Sequence, residues 1–142
     1  MTDTPTTPQP PEIEEGRAQA LSYAADLAAQ LAALRAANEA DDYGRADEIA
    51  DELDQLALEV SWRAASWQTT TQAPDADEYR ILLSWGGPSV QITGDLDMDR
   101  EVFSHRLEWQ DWFKPWTEVV PADPAHAAAV GEFARMIWEA RR

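Results

Sequence analysis

Seven carboxylates cluster within fourteen residues and are the most concentrated chemical feature of the sequence. They are Asp41, Asp42, Asp47, Glu48, Asp51, Glu52 and Asp54. Residues three and four apart on a helix are neighbours, with Cβ atoms about 5–6 Å apart. This spacing approaches that of consecutive phosphates along a duplex, about 6–7 Å. A surface of this kind could occupy the basic groove of a DNA-handling protein; the alternative is a solvated acidic helix face.

An aromatic segment, DWFKPW, is the second candidate contact surface. Clustered aromatic rings provide a large contact area at low entropic cost. The candidate contact residues are Asp111, Trp112, Phe113 and Trp116. The alternative is that these rings close the open end of a small sheet and belong to the core.

Residue patterns typical of catalysis are missing from the sequence. There is no Ser-His-Asp order, no glycine-rich phosphate loop and no paired metal-binding histidines. The chain has no cysteine, which excludes a thiolate nucleophile and a cysteine-type zinc site. His105 is expected on the apolar side of a strand, and His126 in the first turn of a helix, where protonation is disfavoured. We therefore predict no enzymatic activity and no cofactor. A small-molecule or enzymatic site beside Asp111 and Trp112 would require a deep pocket with a perturbed carboxylate.

Three alternating carboxylates, Asp95, Asp97 and Asp99, resemble the start of a calcium loop. A loop of the EF-hand type beginning at Asp95 would require glycine at Arg100 and glutamate at Arg106. Because both positions are arginine, we predict an acidic turn between strands and no metal site.

The formal charge of -16 is concentrated in the first part of the chain, since residues 1–60 carry fourteen acidic side chains against three arginines. A surface this negative repels phosphates and anionic lipid, which argues against direct binding to nucleic acid or membranes. It favours a basic protein partner or high solubility. The start of the chain lacks a secretory pattern, and no run of about 20 apolar residues is present. We therefore expect a cytoplasmic protein.

Hydrophobic periodicity predicts a helical hairpin over residues 12–58, after a proline-rich arm at 1–11 that we expect to be disordered. The two helices are predicted at 12–38 and 45–58. Their apolar stripes are Ala20, Ala24, Leu27, Leu31 and Leu34 in the first helix and Ile49, Leu53 and Leu56 in the second. The stripes could pack against the rest of the domain or form a homodimer through the hairpin.

Alternating residues predict a four-stranded antiparallel meander over residues 59–120. The apolar positions are Leu58, Val60 and Trp62; Tyr79, Ile81, Leu83 and Trp85; Val90 and Ile92; and Phe103, His105, Leu107 and Trp109. Residues 68–77 are predicted to be a polar loop, and Gly86 and Gly87 to supply positive φ angles in a tight turn. Residues 117–120 are a candidate fifth strand.

The final helix, predicted at 123–142, begins with Asp123 as N-cap and Pro124 at the first helical position. Its apolar face is predicted to be Ala127, Val130, Phe133, Ala134, Ile137 and Trp138. The sequence thus predicts one α+β domain over residues 12–142, in which a helical hairpin, a four-stranded antiparallel sheet and a C-terminal helix packed on the sheet follow in order.

Residues 58–118 also carry a set of local motifs that belong together. These are an Ile81–Leu83 strand, a Gly86–Pro88 turn, a Val90–Gly94 strand, and a Gln110–Trp112 and Pro115–Trp116 loop. This pattern resembles a family of small uncharacterised proteins encoded by bacterial phages, plasmids and integrated elements. The resemblance implies a mobile-element context, in which small acidic proteins often counter host defence; it implies no catalytic residue.

Two functional hypotheses follow. In the first, a non-enzymatic acidic protein of a mobile genetic element inhibits or modulates a basic host nuclease or defence complex through its phosphate-like carboxylates. In the second, a small structural or accessory protein, either monomeric or dimeric, binds a protein partner through the DWFKPW loop.

Overall fold

The computed structural model describes residues 11–64, 77–112 and 114–141. The predicted disordered arm, most of the predicted polar loop and Phe113 therefore lie outside the described residues, although Pro11 already belongs to the first helix. The helices are α1 (Pro11–Glu39), α2 (Tyr43–Leu56) and α3 (Pro124–Arg141). The strands are β1 (Glu59–Arg63), β2 (Glu78–Ser84), β3 (Ser89–Asp95), β4 (Arg106–Gln110) and β5 (Thr117–Glu118).

The predicted α+β class is confirmed, and the described strands form one antiparallel sheet in the order β1-β2-β3-β4-β5. The predicted number of four strands is wrong by one, because Thr117 and Glu118 pair with Trp109 and Glu108 as a short fifth strand. The segment is too short to give a clear alternating pattern, so its pairing with β4 decides its conformation.

The hairpin turn is built by local capping. Asp41 adopts a positive φ of 56°, a conformation that aspartate tolerates better than most residues and that commonly ends a helix. Asp42 then caps α2, since its side chain accepts the N–H of Arg45 at 3.1 Å. This cap explains why α2 begins at Tyr43, two residues before the predicted start.

The core lies between the helices and one face of the sheet. Ala24, Leu27 and Leu31 of α1 are buried, together with Ile49 and Leu53 of α2. Helix α1 contacts α2, α3, β3 and β4. Most of the stripe predicted from the sequence is therefore covered within the chain, as the intramolecular alternative expects, while Leu34 and Leu56 are half-buried. A homodimer through the hairpin stays a prediction.

Close approach of α1 to the sheet depends on a small residue. A Cβ atom placed on Gly16 would lie 2.6 Å from Cε3 of Trp109 in β4, well inside van der Waals contact. On the same face of the sheet, the ring of Trp138 of α3 lies tilted against the ring of Tyr79 of β2, with ring centroids 6.1 Å apart. These two tryptophans connect the helices to the sheet.

Three predicted strand faces differ from the observed ones. Strand β2 ends at Ser84, so Trp85 lies outside it and is 75% exposed. Leu58 and Trp62 remain 58% and 49% exposed because β1 is the outer strand of the described sheet. Phe103 is 75% exposed, and β4 begins only at Arg106. In this segment the backbone N–H groups of Phe103 and Ser104 donate to the carbonyl of Asp95. These hydrogen bonds keep both residues out of β4.

Candidate functional site

The acidic surface of α2 faces away from the core. Ala46, Ile49 and Leu53 are the buried residues of this helix. All seven acidic residues singled out in the sequence are exposed; they are Asp41, Asp42, Asp47, Glu48, Asp51, Glu52 and Asp54. Because the helix is held by buried side chains on one side, the carboxylates on the other side are carried by a fixed backbone.

Four of these carboxylates have partners within the described structure, three of them nearby in the sequence and one on α3. Asp41 accepts the Tyr43 hydroxyl at 3.0 Å, and Asp42 caps α2. Glu48 pairs with Arg45 at 3.4 Å. Asp54 lies 3.2 Å from the Arg141 guanidinium, which also donates to the backbone carbonyls of Asp54 and Ala57. These residues shape the ends of α2 and join its C-terminus to α3.

The remaining three, Asp47, Asp51 and Glu52, make no side-chain hydrogen bond or ion pair with the described part of the chain. Asp47 and Asp51 are four residues apart and therefore adjacent on the helix surface. Like charges at this spacing destabilise an isolated helix slightly. We call these three residues the acidic row; it can accept hydrogen bonds from guanidinium or ammonium groups of a partner.

The aromatic segment is divided between exposed and half-buried positions. Trp112 is 61% exposed, Trp116 and Asp111 are half-buried, and Phe113 is outside the described residues. The Trp112 indole covers the turn between β2 and β3, since a Cβ atom on Gly87 would lie 1.8 Å from its Nε1. Trp85, before the same turn, is 75% exposed.

The turn itself differs in part from its prediction. Gly86 has the expected positive φ, 120°, whereas the φ angle of Gly87 is not positive. Gly87 is instead required for space beneath Trp112. A sequence cannot distinguish these two uses of glycine, because the second depends on a residue 25 positions further along the chain.

The aspartates of the DLDMDR turn bond to separate groups. Asp97 accepts the backbone N–H groups of Asp99 and Glu101 at 2.8 and 3.0 Å. Asp95 accepts the Ser104 hydroxyl at 3.3 Å, on the sheet side of the turn. Over residues 11–64, 77–112 and 114–141 no group of three or more acidic or histidine side chains is arranged to hold a metal ion.

The histidines occupy structural positions. His105 lies against α3, where a Cβ atom on Gly131 would come within 2.6 Å of its ring. Burial lowers the pKa of His105, an effect that its hydrogen bond with the backbone of Ala127 partly offsets. His126 lies 3.4 Å from Asp123, three residues earlier in the chain.

The outer face of the sheet holds a cavity of about 490 Å³ that the sequence did not indicate. Its charged lining consists of Arg63, Arg80, Arg106, Glu78 and Glu108. Arg63 is paired with Glu78, which raises the pKa of the guanidinium through their hydrogen bond. The Glu108 carboxylate accepts hydrogen bonds from the Gln91 amide and the Thr93 hydroxyl at 2.9 and 2.8 Å. Asp111 and Trp112 do not line this cavity.

Comparisons with protein-family models, curated proteins and solved structures gave no match. The resemblance to small phage and plasmid proteins therefore stays a prediction. Within the described ranges, no helix combines the length and the apolar character needed to cross a membrane.

Proposed function

We propose that this chain is a non-enzymatic acidic binding protein of a mobile genetic element, and that α2 occupies the basic nucleic-acid groove of a host nuclease or defence protein. The observation that supports this proposal is the acidic row, whose three exposed carboxylates have no partner among the described residues. A basic groove would supply cations to these carboxylates, which the described residues do not pair.

The exposed charge also fits a mode of binding in which little rearrangement is needed. The helix that carries the row is already ordered by Ile49 and Leu53, so association does not have to order a flexible segment. Long-range attraction between a chain of charge -16 and a basic groove would accelerate association and make it sensitive to salt.

The test replaces the three carboxylates of the acidic row with amides, and compares this variant with a control that loses three carboxylates elsewhere on the surface. The first variant is Asp47→Asn/Asp51→Asn/Glu52→Gln, and the control is Glu15→Gln/Glu101→Gln/Glu118→Gln. The control residues are also exposed and make no side-chain bond with the described part of the chain. Asp54 is left intact because Arg141 holds it, which separates partner binding from folding.

Affinity purification from the native host at low and high salt, followed by displacement with duplex DNA, gives the measurement. If each carboxylate meets one partner cation, the loss is at least about 1 kcal/mol per residue, or on the order of 100-fold in affinity for the triple variant. The control should bind as the unmodified chain does. Binding that survives in the row variant, or that duplex DNA does not displace, would contradict the proposal.

The alternative function is a structural or accessory protein that binds its partner through the aromatic segment. It is favoured by the exposure of Trp112, which covers the turn between β2 and β3, and of Trp85, which precedes that turn. Under this alternative Trp112→Ala should abolish capture of the partner, while salt and the row variant have little effect. The two functions therefore give opposite patterns in the same purification.

A further inference from the structure

Strand β1 is a free edge of the described sheet. It pairs with β2 on one side and lies at the end of the strand order. Such an edge offers unpaired backbone N–H and C=O groups, and natural proteins usually protect it with charged side chains of one sign, proline, a bulge, a short strand or a covering element; in β1 the two charges, Glu59 and Arg63, are of opposite sign. The five residues of β1, EVSWR, contain no proline, and Leu58 and Trp62 beside this edge are 58% and 49% exposed.

The sequence of this edge is complementary to itself. In an antiparallel pair of two β1 strands centred on Ser61, Glu59 of one copy faces Arg63 of the other, and the same contact occurs twice. Val60 faces Trp62, again twice, and Leu58 faces Ala64 just outside the strand. Charged residues thus face residues of opposite charge, and apolar residues face apolar residues. Each contact occurs twice, as an interface with two-fold symmetry requires.

We propose that two copies of this chain associate through β1, and that the two sheets join edge to edge about a two-fold axis at Ser61. The occupant of the edge is a second copy because charge complementarity selects one register. A pair centred on Val60 would place Glu59 opposite Ser61, and a pair centred on Trp62 would place Arg63 opposite Ser61. Only the register centred on Ser61 brings both charges of β1 opposite charges of the other sign.

The neighbouring strand extends this pattern. Within one copy Arg63 pairs with Glu78 of β2, and Glu59 lies 3.6 Å from Arg80 of β2. Joining the edges would therefore give the order Glu78, Arg63, Glu59, Arg80 across four adjacent strands, with the last two residues in the second copy. Alternating charges across adjacent strands are mutually stabilising, whereas like charges directly opposite are unfavourable.

The apolar side of the edge gains contacts in the same arrangement. Trp62 lies beside Tyr79 in the register of β1 with β2, yet half of its surface remains exposed. In the joined sheet Val60 of the second copy covers it. A pair of five-residue strands buries less area than a standard protein interface, so we expect a weak dimer.

The test uses two opposite charge reversals, Glu59→Arg and Arg63→Glu. Each variant alone places like charges opposite one another in the symmetric dimer, so each should be monomeric at concentrations where the unmodified chain is dimeric. Mixing the two variants places arginine opposite glutamate at both positions. Sedimentation equilibrium should then show a heterodimer in the mixture, with affinity at least about tenfold greater than for either variant alone.

A second measurement does not depend on the folding of the variants. In the unmodified chain, hydrogen exchange of the β1 amides should slow as the protein concentration is raised about 200-fold into the high micromolar range, where weak dimers form. Exchange at the amides of α2 should not change, which separates this dimer from one formed through the hairpin. Exchange of β1 that is independent of concentration, or a dimer that both charge reversals leave intact, would overturn the proposal.

Discussion

Tyr79 provides the sharpest test of how the sheet is held to the loop after β3. Its side chain is 2% exposed, and its hydroxyl donates to the backbone carbonyl of Ser104 at 2.7 Å. Tyr79→Phe retains the ring and its contact with Trp138 but removes the donor. Because a buried acceptor then loses its partner, we expect a loss of about 1.5–2 kcal/mol in the free energy of unfolding.

For a chain of 142 residues, a loss of this size lowers the Tm by about 5–8 °C. Urea denaturation followed by tryptophan fluorescence measures it as a lower midpoint with an unchanged slope. The matched control is Tyr23→Phe, because the Tyr23 hydroxyl donates to the carbonyl of Leu83 at 3.3 Å from a half-buried position. We expect the control to lose no more than about 0.5 kcal/mol.

The same urea denaturation repeated at alkaline pH gives an independent check. Burial raises the pKa of Tyr79 above its ordinary value of 10.0, so the folded state retains the proton while the unfolded state releases it. The free energy of unfolding should therefore fall as the pH rises above 10, and this contribution should be missing in Tyr79→Phe. Equal losses for the two tyrosine variants, or parallel alkaline limbs, would refute the assigned role of the buried hydroxyl.

Two further predictions concern the core and the histidine beneath α3. Phe133→Ala should lower the free energy of unfolding by about 3–5 kcal/mol because its side chain is fully buried. Phe103→Ala should lower it by less than about 0.5 kcal/mol because that ring is 75% exposed. Urea denaturation midpoints of the two variants measure the contrast, and similar midpoints would contradict the packing. Burial lowers the pKa of His105, so the unfolded state binds the proton more readily, and this contribution to stability should be lost as the pH falls through the ordinary value of 6.5 and below. The stability difference between His105→Gln and the unmodified chain should therefore change over this range, and a constant difference would contradict the assignment.

Much of the fold could be predicted because long elements carry periodic patterns. The stripes that include Leu27 and Ile49 identified the two helices, and Asp123 with Pro124 identified the start of α3 to within one residue. The Asp123 side chain accepts the N–H of Ala125 at 2.8 Å, as an N-cap should. These features are local, so neighbouring residues suffice to specify them.

Edges and contacts between distant residues could not be predicted in the same way. The apolar alternation of Leu58, Val60 and Trp62 indicates a strand but not that the strand lies at an edge with two of these side chains exposed. The alternation that begins at Phe103 continues into β4, yet backbone hydrogen bonds to Asp95 exclude its first residues from the strand. Both differences depend on what lies beside the strand, which an alternating pattern does not encode.

The candidate site divides in the same way. The order of the residues was enough to predict the composition and charge of the acidic cluster and its position on a helix, because net charge and helical periodicity are properties of neighbouring residues. Which of these carboxylates have partners among the described residues follows from packing, since Asp54 is paired by Arg141 from a distant helix. An exposed carboxylate contributes to the fold when packing brings a cation within reach of it, and otherwise stays available to a partner.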